Sequence, residues 1–216
     1  MYQSIIKSLD LTNNTYNEKN TSITGRTFVA DFGNNYWTFR IKTVPMSRAD
    51  FADKFFRTNV NGNGLFYSFT GSQVGRINTA IQIPVLNDSA GTVSGSAVVS
   101  TGVWASGAND VGSDFLHFAA DSGATVPSGT LKAGDLIQFN NHAKVYMVTA
   151  DITFDTVNSA ALNRVDITPR LIKNVAGATM SYDSITFSAI PDGDVLSWQI
   201  GLEELYEFDA TYREVF

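Results

Sequence analysis

Residues 134–151 read GDLIQFNNHAKVYMVTAD, and this stretch decides the fold class. Lys132, Ala133, Gly134 and Asp135 form a turn signal ahead of it. Leu136, Ile137 and Phe139 are the apolar positions of a first strand, and Asn140, Asn141 and His142 make a polar loop. Val145 and Met147 on one face, with Tyr146 and Val148 on the other, form a returning strand. Two short apolar runs of β-branched and aromatic residues, parted by turn residues, predict a β-hairpin.

The same signals recur on both sides. Trp37, Phe39 and Ile41 alternate with Thr38, Arg40 and Lys42, a period of two that buries one face of a strand over residues 35–44. A strand over 26–31 leads into it through Gly33, Asn34 and Asn35. Before that, Ile5, Ile6, Leu9 and Leu11 give a short apolar pattern, and the Asn- and Thr-rich run up to Gly25 reads as a surface loop. Pro45 ends the 35–44 strand. Ser47 is an N-cap candidate with Asp50 three residues on, and Phe51, Ala52 and Phe55 follow at helical spacing, so a helix is expected over 47–57, lying on a sheet. The NGNG of residues 61–64 turns the chain toward a strand over 65–70. A strand over 77–86 is interrupted by Pro84. Residues 87–129 shift to Ser, Gly, Ala and Thr around apolar runs at 97–104 and 115–119, and read as a linker and insertion zone. Later strands are expected at 165–167, ended by Pro169, and at 182–190. At the end, Tyr206, Phe208, Ala210, Tyr212 and Phe216 oppose Glu207, Asp209, Thr211, Arg213 and Val215, so the last residues should be tied into a sheet.

Composition narrows the function classes. The 216 residues suffice for one large or two small β domains, and 44% hydrophobic with 17% charged residues can fill a core. Fifteen Phe and eight Tyr favour strands. With no cysteine, disulfides, thiolate metal sites and thiol nucleophiles are excluded. A net charge of −6 argues against a general nucleic-acid binder. MYQSIIKSLDL lacks the apolar core of a signal peptide, and no apolar run reaches membrane-span length. The expectation is a soluble protein made in a cytoplasm, where the sequons at Asn13 and Asn20 carry no meaning.

Residues able to carry chemistry do not assemble into a signature. His117 and His142 lie in separate segments without ligand spacing, and a two-histidine metal site would need a carboxylate as well. Both are read as loop or satisfied histidines, with no metal. Glu203, Glu204, Glu207, Asp192 and Asp194 are the acids a glycosidase could use. As adjacent acids on a strand, Glu203 and Glu204 point to opposite faces and are not expected to converge, and Asp192-Gly193-Asp194 reads as a turn. Gly62-Asn63-Gly64 and residues 91–95 lack the strand–loop–helix setting of a phosphate cradle. Trp104, in a Gly/Ser-rich segment, is the best candidate for an exposed ligand-stacking aromatic, though a core or subunit-contact role fits it better. His142 and Lys144 are read as turn and strand-edge residues. No catalytic residue and no cofactor are expected, and the protein is not expected to be an enzyme.

Three pieces of the chain together resemble one family. They are Tyr36-Trp37 through Lys42 with Val44-Pro45 and the Phe-rich helix; Lys132-Ala133-Gly134-Asp135-Leu136 with His142-x-Lys144-Val145-Tyr146; and Val165-Asp166-Ile167 with Pro169-Arg170-Leu171 and the acidic, aromatic last strand. From about Tyr36 onward the chain is similar to the distal tail proteins of long-tailed bacteriophages, particularly the two-domain type. The resemblance implies a mainly β fold: a sandwich- or barrel-like ring domain with one α-helix, and an inserted small OB-like β-barrel. The ring domain would comprise residues 1–82 and 186–216, with the helix at 47–57, and the barrel residues 83–185. It further implies a structural virion protein that forms a homo-oligomeric, hexameric ring at the distal end of the tail. Its partners would be the tail-tube protein and the hub, baseplate or fibre proteins. DNA would pass through an acidic lumen without specific binding, and no membrane is involved. Three other readings stay open: a carbohydrate- or receptor-binding module with aromatics near Trp104, a tail glycosidase with two carboxyl groups about 5–10 Å apart, and a tail-tube or hub protein.

Overall fold

The structure is a computed structural model that describes residues 6–14, 17–31, 35–51, 79–82, 92–101, 108–119, 123–157, 163–183, 185–192, 197–201 and 203–216. The fold is mainly β. The described residues form fifteen strands in antiparallel pairings and one short helix. The chain divides into two compact units, each made of separated segments. The first comprises Met1–Asn14, Tyr36–Ile83 and Phe187–Phe216; the second comprises Thr15–Asn35 and Pro84–Thr186.

The first unit is built on a six-stranded sheet of order β1-β4-β15-β13-β5, with β14 also on β15. Its strands are β1 (Ile6–Asn14), β4 (Tyr36–Thr43), β5 (Thr79–Gln82), β13 (Thr186–Pro191), β14 (Ser197–Ile200) and β15 (Tyr206–Glu214). β15 is the centre. One of its edges pairs with β4, from Asp209↔Lys42 to Arg213↔Thr38. Its other edge is shared, with β14 opposite residues 206–209 and β13 opposite 212–214. The alternation expected in β4 is present: Trp37, Phe39 and Ile41 are buried. They meet Phe208, Ala210 and Tyr212 of β15, which are buried in the same way. Phe39 stacks on Tyr212 with centroids 5.5 Å apart and lies 5.3 Å from Phe187. Truncating such a ring to Ala typically costs about 3–5 kcal/mol.

The second unit holds a five-stranded sheet of order β12-β8-β9-β11-β6 and two two-stranded pairs, β2–β3 and β7–β10. Its strands are β2 (Asn17–Thr21), β3 (Thr27–Asp31), β6 (Phe115–Phe118), β7 (Thr130–Leu131), β8 (Leu136–Phe139), β9 (Val145–Val148), β10 (Ile152–Thr153), β11 (Asn163–Thr168) and β12 (Met180–Ser181). The hairpin expected at 134–151 is β8–β9, in the register Leu136↔Met147, Ile137↔Tyr146 and Gln138↔Val145. The turn leading into β8 is closed by the Asp135 N–H on the Lys132 carbonyl at 3.0 Å, and by the Lys132 N–H on the Asp135 carboxylate at 2.9 Å. Ile137, Tyr146, Val148, Leu116, Phe118 and Val165 sit in one core with no more than marginal exposure.

Four expectations need revision. The polar run before Gly25 is not a loop: β1 extends through Asn14, and β2 follows. Backbone ladders hold these strands, and Lys7, Asp10 and Thr12 project to solvent, so polar side chains are compatible with pairing. Residues 15–35 cluster with the second unit, where the expected division placed them in the first. The described part of the expected linker zone is not a linker: Ala97 and Val99 are buried in the second core, and Val98 bridges to both Thr125 and Thr179. Finally, β15 buries Glu214, where the alternation had continued inward to Phe216, which is 56% exposed. Of the helix expected at 47–57, Arg48–Phe51 is described, with the Asp50 N–H on Ser47 Oγ at 3.2 Å as the cap predicts. The rest of that helix, the strand at 65–70 and the glycines at 62–64 lie outside the described residues.

Candidate functional site

His142 ends in a closed hydrogen-bond chain. It sits in the β8–β9 loop, stacked on Phe139, with ring centroids 5.8 Å apart and planes 17° apart. The Asn141 Nδ2 amide donates to the Asn174 carbonyl at 2.9 Å, which turns the Asn141 Oδ1 toward His142 Nδ1 at 2.5 Å. An amide oxygen only accepts, so this arrangement assigns the imidazole proton to Nδ1. Nε2 then accepts from the Tyr146 hydroxyl at 2.8 Å, whose oxygen accepts the Ile172 N–H at 3.3 Å. Lys173 Nζ donates to the Asn141 carbonyl at 2.8 Å, and the Asn174 amide donates to Asp110. Burial, followed by the charges of Lys173 and Lys144, pushes the His142 pKa down to about 4. The ring is neutral and both its nitrogens are engaged, so it shapes a loop.

Lys144 is not a strand-edge residue. It is fully buried, and its Nζ donates to the Asn35 carbonyl at 2.7 Å, 109 residues away in sequence. The contact ties residues 15–35 to the hairpin within the second unit, which no local pattern could have announced.

His117 lies on β6, far in register from His142, and the described residues hold no group of three or more His, Cys, Asp or Glu suited to a metal. It is 5% exposed, and its Nδ1 is buried with no hydrogen-bond partner. Burial, then the Arg164 charge, lowers its pKa, while Asp166 acts in the opposite sense. The pairing of β6 with β11 sets Arg164 opposite His117 and Asp166 opposite Phe115. Sequence inspection missed this quartet. The available signal was a pair of residues two apart on each of two strands.

Glu203 and Glu204 are the first of the acids weighed for a glycosidase. These residues stand in the β14–β15 turn rather than on a strand. That turn is closed by the Gly201 N–H on the Leu205 carbonyl at 2.8 Å, and Glu204 adopts φ 56°. Glu203 and Glu207 line a cleft of about 280 Å³ with Pro45, Gln199, Ile200, Gly201 and Leu205. Asp192 follows β13, with its N–H on the Thr211 carbonyl at 2.8 Å. Asp194, Trp104 and Gly91 lie outside the described residues. Gly95 is a turn glycine whose carbonyl accepts from the Tyr182 hydroxyl at 2.7 Å.

Among the described residues the first unit presents an unpaired sheet edge. Among the described residues β1 pairs with β4 alone, leaving nine residues with one edge unpaired. A strand edge of this length is a template for another chain unless it is covered. Ile200, 60% exposed, stands on β14 beside the acidic cleft. No helix among the described residues is long and apolar enough to cross a membrane, which says nothing of membrane-spanning strands. Neither a protein-family model nor a curated protein matches this chain.

Proposed function

We propose that this chain is a structural subunit of a bacteriophage tail. It would assemble as a homo-oligomeric ring, six-fold by the family resemblance, at the distal end of the tail and join the tube to the tip or baseplate. The observation that carries the reading is the topology of the first unit. Strands from the two end regions of the sequence, β1 and β15, lie in one sheet, and among the described residues β1 has one unpaired edge. Such a sheet brings β1 and β15 together and lets the intervening segments form a second body, which this reading takes as an OB-like barrel on the outside of the ring. A ring of head-to-tail contacts needs two different complementary faces on each subunit. An unpaired strand edge at one side of the sheet, and an apolar side chain beside an acidic cleft at another, supply candidates for both. The acidic balance suits a lumen through which DNA passes without being held. The subunit would be made in the host cytoplasm and act in the virion, as a scaffold rather than an enzyme.

Light scattering coupled to size-exclusion chromatography, followed by negative-stain electron microscopy, tests the reading. A closed six-fold ring that binds purified tail-tube protein is the expected result. A strict monomer at high concentration that binds neither tube nor hub protein would overturn it.

A further inference from the structure

We propose that the outer face of β6 and β11 is a binding site for a neutral saccharide, formed by Phe115, Arg164 and Asp166 beside the buried His117. The inference concerns the second unit by itself and does not rest on ring formation.

Strand alternation places the four side chains together. In the register Arg164↔His117 and Asp166↔Phe115, they project away from the core that receives Leu116, Phe118, Val165 and Ile167. The Arg164 guanidinium lies 4.2 Å over the Phe115 ring centroid, and its Nε donates to Asp166 Oδ1 at 2.7 Å. Both polar side chains remain accessible, at 53% for Arg164 and 35% for Asp166. The stacking and the Nε bond fix the plane of the guanidinium, and among the described residues its terminal amines have no partner. Asp166 Oδ2 is likewise an acceptor left open. The imidazole of His117 lies 5.2 Å from the Phe115 centroid. Its Nδ1 is the atom whose hydrogen bonding the fold leaves incomplete, and an unmet buried polar atom costs about 1–3 kcal/mol. The backbone edge of β6 is taken by Ser100 and Asn109, which bond the main chain of His117 and Ala119.

The chemistry selects the ligand class. A rigid pair of donors beside an acceptor matches vicinal hydroxyls, each of which gives and takes one hydrogen bond. The exposed part of the Phe115 ring offers an apolar surface to the C–H face of a sugar. Arg164 and Asp166 neutralise each other, so the face has no net pull on a phosphate or carboxylate, and Asp166 repels one. A nucleic-acid strand is disfavoured for the same reason, and by the net charge of −6.

The test is a nuclear magnetic resonance titration of the full-length protein, labelled with nitrogen-15. The probes are the methyl glycosides of glucose, galactose, N-acetylglucosamine and rhamnose, with inorganic phosphate as a separate arm. The expected result is saturable shifts of the His117 imidazole and Arg164 Nε signals with at least one glycoside and none with phosphate. Arg164→Met keeps the stem over Phe115 but removes the donors, and should weaken that binding at least tenfold while leaving the Leu116 and Val165 amide signals in place. Should that variant fail to fold, Arg164→Lys, which keeps the charge but not the planar donor pair, must give the same loss. Silence toward all four glycosides, equal binding by the variant that folds, or a response to phosphate overturns the proposal.

Discussion

The Glu214 carboxylate accepts a hydrogen bond from the Trp37 backbone N–H at 3.1 Å, joining residues 177 positions apart. The β4–β15 ladder runs as far as Arg213↔Thr38, so Glu214 and Trp37 are the next pair in register. At that step a side chain supplies the acceptor, and Glu214 is 2% exposed. Glu214→Ala removes an acceptor from a buried donor and should lower the stability of the first unit by about 1–3 kcal/mol. Glu214→Gln keeps an amide oxygen in place and should lose less. Urea unfolding followed by tryptophan fluorescence separates the two, and an unchanged midpoint for Glu214→Ala would contradict the assignment.

His142 gives a pH dependence of known sign. Its folded pKa, about 4, lies below the ordinary value of 6.5, so the unfolded chain takes the proton first as pH falls. Stability from the neutral ring is full above pH 6.5, is lost between pH 6.5 and 4, and is constant below that. The site is about half open to solvent. With the Coulomb part discounted for screening, the loss is on the order of 1–2 kcal/mol. The imidazole signal should stay that of the Nδ1–H form down to about pH 5 and titrate near 4. An imidazole that titrates at 6.5 or above would mean that the Tyr146 and Asn141 bonds do not hold it neutral.

Lys144 makes a separate prediction. Lys144→Met retains much of the buried stem and deletes the donor to the Asn35 carbonyl. The second unit should lose about 1–3 kcal/mol, and peptides covering residues 27–35 should exchange amide hydrogen faster. Exchange that is unchanged there would show that Lys144 does not anchor this segment.

What was legible in the sequence follows from where each interaction lies along the chain. β4, β8, β9 and most of β15 were readable because one buried face imposes a period of two that needs no knowledge of the partner. Glu214 broke that reading: an acid on an inward face is sensible only once Trp37 stands opposite. β2 and the polar last residues of β1 were missed because backbone pairing holds them, leaving Asn, Thr and Lys side chains with no apolar period to betray a strand. Lys144 and the Phe115–Asp166 quartet depend on segments far apart in sequence. Their residue types were visible, but their proximity is a product of topology.

Gly129 and Gly134 carry nearly the same backbone angle, φ +98° and +99°, in different surroundings. At Gly134 an added Cβ meets nothing within 4 Å, so Gly134→Ala should cost only the left-handed backbone penalty, about 1–2 kcal/mol. At Gly129 the Cβ would fall 1.5 Å from the Thr92 carbonyl oxygen and 2.3 Å from its carbon. That carbonyl cannot step aside freely. Ser94 and Ser128 exchange two backbone bonds of 2.9 Å next to it, Thr92 Oγ1 donates to the Thr130 carbonyl at 2.7 Å, and the Phe154 N–H donates to Gly129 itself at 2.9 Å. Gly129→Ala must therefore break this crossing or the turn, and should cost more than about 4 kcal/mol, the range reserved for single changes with a specific steric cause. Thermal unfolding of the two variants side by side is the check. Similar losses at both positions would mean that the approach of Thr92 to Gly129 is not a fixed feature of the second unit.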